Sequence, residues 1–120
     1  MQKTSKLPAG SSTENDIAHG RNVLDQEIAG LKALAESLGD DFARAVDCMA
    51  NIRGRVIVTG MGKSGHVARK IAATMASTGT IAYFVHPAEA SHGDLGMITR
   101  DDVVLALSNS GETAELSDII

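Results

Sequence analysis

The apolar positions in the first third of the chain recur with helical spacing. A stripe that repeats every seven residues predicts an amphipathic helix that starts between Thr13 and Asp16 and ends at Gly39. The stripe consists of Ile17, Leu24, Leu31 and Leu38, with Ile28 and Ala35 on the same face. Residues 1–14 are polar, so we expect them to form a disordered arm ahead of one domain over residues 15–120.

A second helix is predicted next, and the pattern then changes to short β-branched runs. The helix spans about 41–52 and stops at Gly54, and its predicted inward residues are Phe42, Val46, Met49 and Ile52. Strands are predicted at 55–59, 81–85 and 102–107. Between the first two strands lies a predicted helix over 64–78, whose apolar row is Val67, Ile71 and Met75, with Gly79 as its end.

The alternation of strands and helices predicts an α/β fold. Continuous apolar strands are typical of a parallel sheet that is covered on both faces. We therefore expect a three-layer, doubly wound open parallel sheet with flanking helices. A further helix is predicted from Glu112 onward, and its pattern still runs at Ile120. We expect the domain to be incomplete at its carboxyl end, or to pair with another copy.

Composition and charge narrow the class of function. The net charge is -4, there is no basic block, and the aromatic residues number only one tyrosine and two phenylalanines, which excludes the usual nucleic-acid interfaces. No apolar run reaches the length of a membrane span, and no signal-peptide pattern opens the chain. Cys48 is the single cysteine, which fits a reducing compartment. We expect a cytoplasmic domain that binds neither nucleic acid nor membrane.

The segment 108–113, called here the hydroxyl loop, has the composition of a phosphate-binding turn. Ser108, Ser110 and Thr113 supply hydroxyl groups, and Gly111 lets the backbone approach a ligand closely. The N–H groups at a helix start are unpaired and favour an anion. Because the Glu112 carboxylate would lie next to that anion, it is a candidate for a chemical role.

A second turn, Gly60–Gly65, follows the first predicted strand with the pattern G-x-G-x-x-G and is called here the glycine turn. A dinucleotide site would need an acidic residue at the end of the next strand, where valine, histidine and proline stand. A P-loop would need glycine at Ile57. Both nucleotide interpretations are thus disfavoured. Two others are favoured: a tight turn that only requires glycine, or an anion loop formed by Gly62, Lys63 and Ser64.

The carboxyl ends of parallel strands meet at one edge of a sheet, so we expect the two turns to share one crevice. The polar loop 86–96 follows the second predicted strand and should border the same crevice. His92 is a candidate acid or base because imidazole titrates near neutral pH, although it could instead only shape the loop. The spacing of His86, Glu89 and His92 has no geometric force on an irregular loop, so no metal is predicted.

Three segments, taken in order, resemble the sugar-isomerase (SIS) domain of bacterial D-arabinose-5-phosphate isomerases. They are VTGMGKSGH at 58–66, FVHPAEASHGDLG at 84–96 and LSNSGET at 107–113. The resemblance implies a five-stranded parallel sheet in a homo-oligomer. It also implies interconversion of D-ribulose 5-phosphate and D-arabinose 5-phosphate through an enediolate without a cofactor, a reaction that supplies synthesis of 3-deoxy-D-manno-octulosonate (Kdo).

The resemblance also assigns roles to individual residues. The phosphate-binding residues would be Ser108, Asn109, Ser110, Gly111 and Thr113, with Gly62 and Ser64 beside them, and the catalytic residues Lys63, Glu112 and His92. Members of this family continue for as much chain again, with a pair of CBS modules and further active-site residues, so activity of this chain alone is left open. The alternatives are a non-catalytic phosphosugar-binding module and an isomerase of another phosphosugar.

Overall fold

The computed structural model describes residues 12–91 and 94–112, and it contains two compact units, Met1–Phe42 and Ala43–Ile120. The predicted first helix is confirmed as α1, Thr13–Ser37. It begins at Ser12, whose Oγ accepts the Asn15 N–H at 3.2 Å, a cap that satisfies one of the unpaired N–H groups of the first turn. Residues 13 and 14 therefore belong to α1, and the predicted arm over 1–11 lies outside the described residues.

The apolar stripe of α1 is exposed along its whole length. Leu24 and Leu31 expose 62% and 64% of their surface, and α1 has no buried residue. The seven-residue repeat therefore predicted the helix correctly, and its apolar side chains are exposed among the described residues.

The second predicted helix is α2, Asp40–Asn51, and its inward face was predicted correctly only at the carboxyl end of the helix. Met49 and the following Ile52 pack against the sheet as expected. Phe42 and Val46 are exposed, contrary to prediction. Ala45 instead lies beside the sheet, because the face that meets it follows the spacing from Ala45 to Met49 to Ile52.

The second unit contains a parallel three-stranded sheet in the order β2-β1-β3, which confirms the predicted open parallel α/β fold. The strands are β1, Val56–Gly60, β2, Ala82–Phe84, and β3, Val103–Leu107. Helix α3, Gly62–Ser77, joins β1 to β2, and the short helix α4, Pro87–Ser91, and a 3₁₀ turn, Asp94–Met97, lie between β2 and β3. The helix predicted after Glu112 lies outside the described residues.

The core lies around the central strand β1, which is fully buried. On one side Val56 and Val58 pack against Ala68 and Ala72 of α3, and on the other side Ile57 packs against Val85. In the apolar row predicted for α3, Val67 is exposed, whereas Ile71 and Met75 are partly buried. Small side chains face the sheet instead because they allow the helix to approach it closely. No helix in the described part of the chain is long and apolar enough to span a membrane.

Candidate functional site

The glycine turn brings the start of α3 to the carboxyl end of β1. Gly62 has φ +56°, a left-handed conformation that favours glycine. A Cβ on Gly65 would lie 2.6 Å from the carbonyl oxygen of Gly60, so this pair needs glycine for close packing. The turn interpretation is thus confirmed for the glycines. Met61, which precedes α3, provides no side-chain cap, so the first N–H groups of the helix keep their capacity to bind an anion.

The hydroxyl loop begins where β3 ends, and serine side chains of the loop accept hydrogen bonds from its own backbone. Ser108 Oγ accepts the Gly111 N–H at 2.9 Å, and Ser110 Oγ accepts the Glu112 N–H at 3.1 Å. Gly111 has φ +73°, so glycine is required there. The expectation that the backbone N–H groups of this loop are unpaired is wrong for Gly111 and Glu112, because neighbouring hydroxyl groups satisfy them.

The two turns border one cleft, as predicted. Strands β1 and β3 are adjacent, with Gly60 paired in register to Leu107, so their carboxyl ends lie side by side. The cleft has a volume of about 650 Å³, within the usual ~300–1,000 Å³ range of small-molecule sites. Its described lining consists of Lys63, Ser64, Val67, Ala106, Leu107, Ser108 and Asn109. Lys63 supplies positive charge on one wall, and the start of the hydroxyl loop forms the other.

The remaining predicted residues divide into three groups. Gly62 does not line the cleft, contrary to expectation, and lines a separate cavity on the β2 side of the glycine turn. Ser110, Gly111 and Glu112 are exposed on the hydroxyl loop, next to the residues that line the cleft. His92 and Thr113 lie outside the described residues. The roles predicted for these residues therefore stay predictions.

The loop after β2 contributes to a different cavity from the one expected. His86 lines a cavity of about 170 Å³ on the β2 side of the glycine turn, whereas the cleft lies on the β3 side. The two sides differ because β1 lies between β2 and β3 in the sheet. His66 and Arg69 also line this cavity, and the sequence analysis missed both. Only the fold brings His66 and Arg69 of α3 next to His86, which follows β2.

Metal ligation has no support in the described part of the chain. No three histidine, cysteine, aspartate or glutamate side chains come together within residues 12–91 and 94–112. His86 uses Nδ1 to accept the Ala88 N–H at 3.1 Å. The third member of the histidine–glutamate–histidine pattern, His92, lies outside the described residues.

Several curated relatives of the chain are described as arabinose 5-phosphate isomerases. The chain is 57% identical over its whole length to the arabinose 5-phosphate isomerase KdsD of Pseudomonas aeruginosa, of which it covers 35%. It is 56% identical to the arabinose 5-phosphate isomerase GutQ of Escherichia coli K12, with 84% of this chain and 32% of that protein covered. The chain thus spans about a third of the length of these relatives.

Solved structures show the same fold. An Escherichia coli CFT073 protein in complex with arabinose 5-phosphate superposes with a TM-score of 0.80 and 44% identity, covering 88% of this chain and 56% of that one. A Listeria monocytogenes structure gives a TM-score of 0.79 at 26% identity, covering 89% of this chain and 56% of that one. The model of the SIS domain matches residues 49–120, more than half of the chain. The chain therefore belongs to the SIS domain family.

Proposed function

We propose that the protein is a sugar-phosphate isomerase that interconverts D-arabinose 5-phosphate and D-ribulose 5-phosphate. The observation that carries the proposal is the cleft in which Lys63 and Ser64 face Ser108 and Asn109 across two adjacent parallel strands. High identity to relatives described as arabinose 5-phosphate isomerases supports the choice of substrate. The product would supply Kdo synthesis in the cell.

The hydroxyl loop is proposed to hold the phosphate of the substrate. A serine hydroxyl has one O–H donor and two acceptor lone pairs. Ser110 Oγ accepts the Glu112 N–H with one lone pair, and its O–H can still donate to a phosphate oxygen. The loop is thereby ordered before the ligand arrives, which lowers the entropic cost of binding. Lys63 on the facing wall adds the positive charge that this loop itself lacks.

Aldose–ketose isomerisation moves a proton between C1 and C2 through an enediolate. It needs a base beside the two carbons and a positive group beside the oxygen on which negative charge develops. Lys63 is proposed as the positive group because it lines the cleft. Glu112 is proposed as the proton-transfer residue, and His92 as a residue that binds sugar hydroxyls or assists ring opening.

The direct test is turnover of D-arabinose 5-phosphate by the full-length protein, with and without single carboxylate replacements. Glu112→Gln should lower kcat by ~10²–10⁴-fold, the usual contribution of one acid–base group. Glu115→Gln, three residues further along the same segment, is the matched comparison. If Glu112→Gln stays within about threefold of wild type while Glu115→Gln loses turnover, proton transfer belongs to Glu115. Saturable binding without turnover in the wild-type protein would instead identify a non-catalytic phosphosugar-binding module.

We further propose that residues 15–120 form the first part of a SIS domain in a cytoplasmic homo-oligomer. The exposed apolar stripe of α1, with Leu24 and Leu31 more than half exposed, supports assembly because such surface is costly to leave in water. Sedimentation of the full-length protein tests this, and a monomer at micromolar concentration would contradict it.

A further inference from the structure

The cavity on the β2 side of the glycine turn is small and shares no described lining residue with the cleft. Its described lining is Gly60, Gly62, Gly65, His66, Arg69, Phe84 and His86, and it includes no carboxylate. Its volume of about 170 Å³ equals that of roughly five or six waters at ~30 Å³ each. The cavity therefore has room for a compact ionic group such as a phosphate or a carboxylate.

Arg69 is held in place on one wall of this cavity. Its guanidinium carbon lies 4.0 Å from the centroid of the Phe84 ring, so the planar group stacks on the aromatic face. Stacking uses the faces of the guanidinium and leaves the N–H donors at its edge for other partners. An arginine that is already oriented loses less entropy when it binds an anion. The positive charge of the cavity is thus preorganised.

His86 lines the same cavity and carries a hydrogen-bond donor on its ring. Its Nδ1 accepts the Ala88 N–H at 3.1 Å, so the hydrogen of the neutral ring is carried by Nε2. The ring also meets Phe84 edge-on, with centroids 6.5 Å apart and an interplanar angle of 79°. A backbone contact and an aromatic contact therefore fix both the tautomer and the orientation of this ring.

We infer that this β2-side cavity is a second anion site, which takes a phosphate or carboxylate group independently of the cleft. The Arg69 guanidinium and the His86 Nε2–H supply donors, and Gly62 places the uncapped amino end of the 16-residue helix α3 at the wall. Arg69 and His66 are exposed, so water and salt screen their charge, and we expect millimolar rather than micromolar affinity. The inference does not depend on the proposed reaction.

The test is a titration of the full-length protein labelled with ¹⁵N in arginine and histidine side chains. Inorganic phosphate is added in one series and acetate in another, each at constant ionic strength set with sodium chloride. We expect saturable shifts of the Arg69 Nε–H and His86 Nε2–H resonances. The two series separate the ligands: a response to phosphate alone assigns the site to phosphate groups, and a response to both assigns it to oxyanions in general. No shift in either series would overturn the inference.

Two variants locate the response. His86→Asn keeps an acceptor for the Ala88 N–H, in the position of Nδ1, but has no donor at the position of Nε2. It should weaken the phosphate response of Arg69 on the order of tenfold, the usual value of one hydrogen bond to a charged group. Unchanged affinity in this variant would contradict the site. The second variant, Arg69→Gln, removes the guanidinium and should abolish the response of His86.

Matched controls exclude two other origins. Lys70→Gln removes one charge at the residue after Arg69 without touching the cavity lining, and it should leave the response intact, unlike Arg69→Gln. Equal losses in these two variants would indicate diffuse attraction and refute a defined site. Ser110→Ala alters the hydroxyl loop, and a loss of the Arg69 response there would move the bound anion to the cleft and overturn the inference.

Discussion

The amino and carboxyl ends of the parallel sheet use their charged groups in opposite ways. At the amino end, the Asp102 side chain is only 2% exposed, and its carboxylate accepts the backbone N–H groups of Arg55 at 2.7 Å and of Thr99 at 2.9 Å. The Arg55 guanidinium also pairs with it at 3.2 Å. At the carboxyl end, Lys63 and Arg69 line cavities instead.

Backbone contacts close the amino end further. The Gly54 N–H donates to the Asp101 carbonyl at 2.8 Å, and a Cβ on Gly54 would collide with the Asp102 carboxylate. Arg55 also donates to the Met97 carbonyl oxygen. Consequently, the start of β1 is hydrogen-bonded to the segment that precedes β3. The N–H groups of Gly54 and Arg55 and the Arg55 guanidinium already have partners within the chain.

The comparison shows where binding capacity resides in this fold. At the amino end, Arg55 and Asp102 have partners within the chain, so their charges stabilise the fold. At the carboxyl end, glycines bring backbone N–H groups to the surface, and cationic side chains face open volume. The predictions below test this division, beginning with the largest expected effect.

Of the four sites compared below, Lys63 should show the largest effect when it is replaced. Lys63→Met removes the positive group of the cleft, and loss of one group that stabilises developing negative charge usually lowers kcat by ~10²–10³-fold. The melting temperature should change little, because Lys63 is exposed. Kinetics and thermal unfolding of the full-length protein measure both. Lys70→Met is the matched control. An equal loss of kcat in this control would contradict the proposal that the charge of Lys63 acts in the cleft.

At the carboxyl end of the sheet, replacing Gly65 should lower the free energy of unfolding the most. Gly65→Ala places Cβ 2.6 Å from a backbone carbonyl oxygen that cannot move aside, and overpacking of this kind costs about 1–3 kcal/mol. Gly30→Ala in the middle of α1 has nothing within 4 Å, so it should be neutral or stabilising by up to ~1 kcal/mol. Urea unfolding gives both values. If Gly65→Ala were as harmless as its control, close packing would not explain the glycine.

The sequence predicted the elements around the cleft well because their signals are local. β1 is a continuous apolar run, and glycines mark the turn after it and the end of α3, where Gly79 has φ +99°. Predicted and observed boundaries of β1 and α3 differ by at most two residues. The shared cleft followed from topology alone, since parallel neighbours end at the same edge.

The sequence did not predict the cavity on the β2 side, because it depends on contacts between elements. Arg69 and His86 are brought together by the Phe84 ring, and no spacing along the chain encodes that stacking. The hydrogen bonds within the hydroxyl loop were missed for a related reason. Serine hydroxyls accept as readily as they donate, and composition alone does not choose between a ligand and the loop backbone.

Ser110 should affect binding more than turnover. Ser110→Ala removes one O–H donor and the acceptor of the Glu112 N–H, so we expect KM for the sugar phosphate to rise on the order of tenfold with a smaller change in kcat. Ser77→Ala, an exposed serine at the end of α3, is the control and should leave KM unchanged. Steady-state kinetics of the full-length protein measure KM and kcat for both variants. An unchanged KM for Ser110→Ala would show that Ser110 does not bind the substrate.

Replacing Asp102 at the amino end of the sheet should give the smallest effect, because the contribution of its carboxylate to stability is lost only in acid. The Arg55 guanidinium, together with the Thr99 and Arg55 N–H groups, holds the pKa of Asp102 well below its usual range. The unfolded chain, with an aspartate pKa of ~3.9, binds this proton first, so the stabilisation is complete above about pH 4 and is lost as pH falls below that value.

Urea unfolding between pH 7 and pH 3 should therefore show a loss of stability in acid to which Asp102 contributes. In Asp102→Asn this part of the slope should disappear, because the amide cannot bind the proton that drives it. Asp101→Asn replaces the exposed neighbour and should keep the wild-type slope. A wild-type slope in Asp102→Asn would mean that acid acts elsewhere, and the amino end would then lose its role as the part of the sheet whose charges serve stability.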